Sequence, residues 1–103
     1  MSFANPQLIY AGQAQLTTLS SSIGLGTTPS VNGRKADTVM LRARTNNVYV
    51  RLDGSAATSA DMLIPKDIIV TLCLAGSDPL ANIRVLESAA SAQLDVWFFA
   101  SGG

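Results

Sequence analysis

A chain of 103 residues makes one domain, long enough to bury roughly two-thirds of the surface that its unfolded form exposes. Hydrophobic residues make up 48% but charged ones only 14%, against about 25% in an ordinary soluble domain, and seven basic side chains cancel seven acidic ones. That balance excludes the positive field that holds nucleic acid, and the lack of histidine beside a single Cys73 excludes an internal disulfide, a zinc site with ordinary ligands and any imidazole relay.

Met1 to Pro6 reads as a loose arm. It has no basic segment followed by an apolar run, so no signal peptide is expected and the chain is expected to mature in a cytoplasm. Gln7 to Leu19 reads as a first strand or a broken pair of strands, since Leu8 and Tyr10 alternate, Gly12 interrupts, and Leu16 and Leu19 follow. From Ser20 to Lys35, Gly24, Gly26, Pro29 and Gly33 punctuate a run rich in serine and threonine, which predicts a long loop or extended arm. Loops of such length in a compact domain are functional or ordered by a neighbour. Met1 to Lys35 is therefore expected to be a strand plus a flexible partner-binding arm, packed on or swapped between subunits. Residues 36–103 form the main body.

The stretch from Asp37 to Gly54 carries the clearest pattern. Its alternation has period two on both sides of Thr45-Asn46-Asn47, which fits strands and cannot be laid on a helical face. Val39, Leu41 and Ala43 lie on one face, then Val48, Val50 and Leu52; Thr38, Met40, Arg42, Arg44, Tyr49, Arg51 and Asp53 lie on the other. The expectation is a hairpin turning at Asn46-Asn47, with Arg42 and Arg51 on one ladder and Asp53 as a cross-strand partner.

Gly54 to Asp61 is a loop of small residues, and Met62-Leu63-Ile64 a short strand before Pro65. Ile68 to Leu74 sets Ile68, Val70, Leu72 and Leu74 against Ile69, Thr71 and Cys73. With both faces largely apolar, this predicts a central strand or one covered by a second protomer, and a buried, inert Cys73. Ala81 to Glu87 opposes Ile83 and Val85 to Arg84 and Leu86. In the last strand, Gln93 to Ala100, Leu94, Val96 and Phe98 alternate with Asp95, Trp97 and Phe99, so rings stand on both faces of an expected edge or terminal strand. Seven or eight strands of this kind predict an all-β antiparallel sandwich whose business is contact with other proteins.

Catalytic signals are thin. Asp53 and Asp61 flank a loop without the spacing of a calcium site and are read as turn and amide caps. Gly24-Leu25-Gly26 has neither the strand before it nor the helix after it that a nucleotide loop needs. No enzyme, cofactor or metal is expected. The candidate partner-contact residues are Arg42, Arg44, Tyr49 and Arg51 on the polar face, and Trp97 and Phe99 on the last strand. Arginine and large rings are enriched at protein interfaces.

Asn47-Val-Tyr-Val-Arg-Leu-Asp-Gly54, Met62-Leu-Ile-Pro65, Ala81-Asn-Ile-Arg-Val-Leu-Glu87 and Leu94-Asp-Val-Trp-Phe-Phe99, with Ser/Ala-rich turns between them, resemble small auxiliary virion proteins of tailed bacteriophages. The resemblance covers about half the chain, Asn47 to Ala100, and is a pattern of strands and turns. It implies a β-sandwich or jelly-roll fold, a homo-oligomer (trimer or dimer), and a cement or decoration role on the capsid surface. The implied partner is the major capsid protein, with no nucleic acid and no membrane. Head fibres, head-tail adaptors and receptor- or glycan-binding modules are the alternatives.

Overall fold

The computed structural model describes residues 7–102; the expected arm at Met1 to Pro6 lies outside them. Ten strands are found among the described residues: β1 Gln7–Leu16, β2 Ile23–Gly24, β3 Ser30–Val31, β4 Arg34–Lys35, β5 Thr38–Arg44, β6 Val48–Arg51, β7 Met62–Ile64, β8 Ile69–Cys73, β9 Arg84–Glu87 and β10 Gln93–Gly102. A one-turn 3-10 helix, Pro79–Asn82, precedes β9. The fold is all-β and its sheets are antiparallel. One four-stranded sheet has the order β1-β10-β5-β8, a second the order β2-β9-β6-β7, and β3-β4 stands apart as a two-stranded hairpin. The sequence pattern predicts seven or eight strands. The surplus consists of two-residue strands, too short to show any alternation.

The pairing is nested: β6 with β7, β5 with β8, β2 with β9 and β1 with β10. The inward residues Val39, Leu41, Ala43, Leu94, Val96 and Phe98 of the first sheet share one buried cluster with Val48, Val50, Ile64 and Val85 of the second. Leu19, Leu25, Leu80 and Ile83 close it from the connections. At about 1.5–3 kcal/mol for each fully buried large apolar side chain, this shared cluster is what joins the sheets.

Four expectations are corrected. First, β5 and β6 do not form a hairpin, because they belong to different sheets. Thr45 takes a positive φ of 74° and the chain crosses the core, so both apolar faces point inward from opposite sides. Asn46 and Asn47 then act as ties. Asn47 Oδ1 accepts the Lys66 amide at 2.8 Å, its carbonyl accepts the Ser88 amide at 3.0 Å, and Asn46 Nδ2 donates to the Ala90 carbonyl at 2.7 Å. Leu52, expected in the core, lies past the end of β6 and is exposed.

Second, β8 is an edge strand and not a central one, since among the described residues it pairs only with β5. Val70 and Leu72 pack against the core while Ile69, Thr71 and Cys73 are exposed, so Cys73 is not a buried thiol. Third, β10 is no edge: β1 covers one side and β5 the other. Fourth, Ser20 to Lys35 is not an irregular arm. It holds β2, β3 and β4, with Leu19 and Leu25 anchored in the core and Asn32-Gly33 turning the hairpin at φ 52° and 75°.

Asp37 ties the start of β5 to its neighbours. Its amide donates to the Phe99 carbonyl at 3.1 Å and its carbonyl accepts the Leu74 amide at 2.9 Å. The carboxylate accepts the Ser101 amide at 3.0 Å and the Ser101 hydroxyl, and the Thr38 hydroxyl lies 3.1 Å away. Burial pushes this carboxyl up, but the Ser101 and Thr38 donors outweigh it and hold its pKa below the ordinary value.

Candidate interaction surface

Alternation along β10 sends Asp95, Trp97 and Phe99 to the outer face of the first sheet. The register places Trp97 between Gln13 and Met40, Asp95 between Gln15 and Arg42, and Phe99 between Tyr10 and Thr38. Trp97 and Phe99 are half-buried there by these neighbours. Tyr10 meets Phe99 edge to face with ring centroids 5.9 Å apart, and its hydroxyl donates to Gln13 Oε1 at 3.3 Å. Gln13, Gln15, Asp95 and Trp97 line a shallow depression of about 300 Å³.

Arg42 and Arg44 share that face and converge on one carboxylate. Arg42 Nη2 lies 3.1 Å and Arg44 Nε 3.0 Å from Asp95 Oδ2, while Gln15 Nε2 donates to Asp95 Oδ1 at 3.2 Å. The Arg44 Nε hydrogen is directed off the Asp95 oxygen, so that contact is Coulombic more than hydrogen-bonded. Two cations around one half-buried anion leave a local excess of positive charge.

Arg51 stands elsewhere, because β6 lies in the second sheet. Its Nε and Nη2 hold Asp53 at 2.7 and 2.9 Å, and Nη1 lies 3.5 Å from Asp61. The Arg51 hydrogen bonds and the Ser55 amide hold the Asp53 carboxyl far below the carboxylate range, and Asp53 in turn raises the guanidinium. Asp61 also accepts the Thr58 amide at 2.7 Å, which makes both carboxylates loop caps, the role the sequence suggests for them. Tyr49, half-buried on β6, lies between Leu63 and Leu86 in the register. The structure therefore groups Arg42, Arg44, Trp97 and Phe99 on one sheet and separates Tyr49 and Arg51 from them.

A second feature is apolar. Leu8 and Tyr10 on β1, Leu52 after β6, Met62 and Leu63 on β7, and Ile68 and Ile69 at β8 are all large and exposed. The strands β1, β7 and β8 are edges of their sheets. Sequence patterning finds these side chains but not their exposure. The available signal was the uncharged run from Ile68 to Ser77, which suits an uncovered edge as well as a central strand.

The chain matches no protein-family model, and neither a curated protein nor a solved structure shows significant similarity to it.

Proposed function

We propose that this protein is a non-enzymatic virion structural protein of a tailed bacteriophage, a cement or decoration protein that stabilises the head by binding across subunits of the major capsid protein. The observation that carries the reading is the exterior: seven large apolar side chains, Leu8, Tyr10, Leu52, Met62, Leu63, Ile68 and Ile69, are exposed on a chain with only 14% charge. Exposed apolar side chains on three sheet edges supply area that association could cover, and fastening interfaces typically bury upward of ~1,200 Å². Nested pairing is what a long hairpin gives when it is rolled up, so the strand order favours a jelly-roll sandwich with β3-β4 inserted. Jelly rolls recur in viral coat proteins. Arg42 and Arg44 around Asp95 offer cations for acidic capsid groups, and repeated symmetric sites add avidity.

Purified particles decide the matter. In a stained gel the protein is expected at a copy number comparable with the major capsid protein, on the capsid surface of particles assembled in the host cytoplasm, and heads lacking it are expected to bind it when it is added back. A small ring of copies per particle would favour a head-tail adaptor, and no binding to heads would overturn the reading. A receptor- or glycan-binding module is the second reading, favoured by the depression that Trp97, Gln13, Gln15 and Asp95 line. Saturable glycan-array binding that Trp97→Ala abolishes would support it.

A further inference from the structure

Strand β8 closes one side of the first sheet, with no strand beside it among the described residues. Its ladder sets Ile69 to Cys73 against Arg42 to Thr38 without a register break, and the Leu74 amide continues it to the Asp37 carbonyl at 2.9 Å. Amides alternate sides in an antiparallel pair. Val70 and Leu72 thus bond toward β5, while Ile69, Thr71 and Cys73 turn their N–H and C=O groups to the open edge. The side chains of the same three residues are exposed, Ile69 at 57%, beside Ile68 at 54%.

Edge strands are ordinarily blunted by a charge, a proline or a bulge. From Ile68 to Ser77 this chain has no charged residue and no proline, and β8 has no bulge. Such an edge can add a strand from another chain, and a second copy of β8 meets it in a self-complementary register. A two-fold axis at Thr71 sets Thr71 opposite Thr71 and Ile69 opposite Cys73, so all three outward residues meet an opposite residue and exchange about six main-chain hydrogen bonds. Each large Ile69 then faces a small thiol. Lys66 and Asp67, the nearest charges before the strand, fall opposite Gly76 and Ala75, so no like charges meet. Moving the axis to Val70 would set Cys73 against Asp67, whose φ of 66° takes it out of the strand. Moving it to Leu72 would set Ile69 against Ala75, beyond β8. Exposed Met62 and Leu63 lie on β7, the edge of the second sheet that the Pro65–Ile68 turn joins to β8, and add apolar area on that side.

We propose that β8 is a self-association edge: two copies of the chain pair β8 antiparallel about a two-fold axis at Thr71, and the first sheet runs continuously through the dimer. The dimer is a property of the protein alone, so its test needs no viral shell and its failure is separate from failure of the virion reading.

Sedimentation of the purified chain over a concentration series is expected to show a monomer–dimer equilibrium. Thr71 is exposed, so Thr71→Lys and Thr71→Asp should fold. Each sets like charges face to face and should weaken self-association by about tenfold or more, while an equimolar mixture of the two should form a heterodimer. Thr71→Cys in a Cys73→Ser background should oxidise to a covalent dimer under diamide. The native Cys73 pair, roughly 14 Å apart in this register, should not, because a disulfide needs Cα atoms within about 7 Å. A monomer at every concentration, a dimer indifferent to Thr71→Lys, a mixture that fails to associate, or ready crosslinking through native Cys73 would each overturn the proposal.

Discussion

Single residues carry more than their types suggest. Asn47 is the clearest, since its side chain and carbonyl hold the β7–β8 and β9–β10 turns to the β5–β6 crossing. Asn47→Ala removes the acceptor of the exposed Lys66 amide and is expected to cost about 0.5–1.5 kcal/mol in urea unfolding. Around Asp95 the two arginines back each other up. Arg42→Ala or Arg44→Ala alone should cost under about 1 kcal/mol, whereas the double variant, with only Gln15 left on a carboxylate whose side chain is 14% exposed, should cost more than the sum. Asp53 and Asp78 are also held low, and with them Asp37 contributes to the acid limit. Its folded pKa lies below the unfolded value of about 3.9, so its contribution is complete above that value and disappears as pH falls through the folded pKa. The melting temperature should hold level from pH 8 to about pH 5 and fall below about pH 4, and Asp37→Asn should reduce the acid drop. With no histidine in the chain, a step between pH 6 and 7 would contradict this.

Elements show where alternation stops being informative. The inward faces of β5, β6, β9 and β10 are legible residue by residue, because a half-buried strand must send every second side chain into the core. Their neighbours are not, because two strands linked by three residues bury the same faces whether they pair directly or cross from sheet to sheet. Thus the Asn46-Asn47 break has the pattern of a hairpin turn, and the true hairpin at Asn32-Gly33 has the pattern of a loop. Asn-Gly is the strongest short hairpin signal, but β3 and β4 are too short to flank it with an alternating pattern. Gly33 has φ 75°, so Gly33→Val should lose about 1–2 kcal/mol. The loss should appear locally, as faster amide exchange at Val31 and Arg34, the paired residues next to the turn.

For the molecule as a whole, the shared core means that neither sheet is expected to persist without the other. Leu41→Ala, at a fully buried site facing both, should cost about 2–5 kcal/mol. Unfolding followed by Trp97 fluorescence, which reports on the first sheet, should coincide with far-ultraviolet dichroism in one transition; two separated midpoints would show independent sheets. Of the candidate contact residues, Arg42, Arg44, Trp97 and Phe99 were legible as an outward set because their parity on two strands fixes a common kind of face. That Arg51 and Tyr49 sit on another sheet was not, since parity says nothing about which sheet a strand joins. Chain chemistry by itself determined an all-β body with defined inward and outward side chains and an exterior poor in charge. Both are local consequences of residue order and composition. The tertiary structure alone decided that β8 is an open edge and β10 a covered centre, because strand position is set by hydrogen bonds between segments far apart in sequence, which no short pattern encodes.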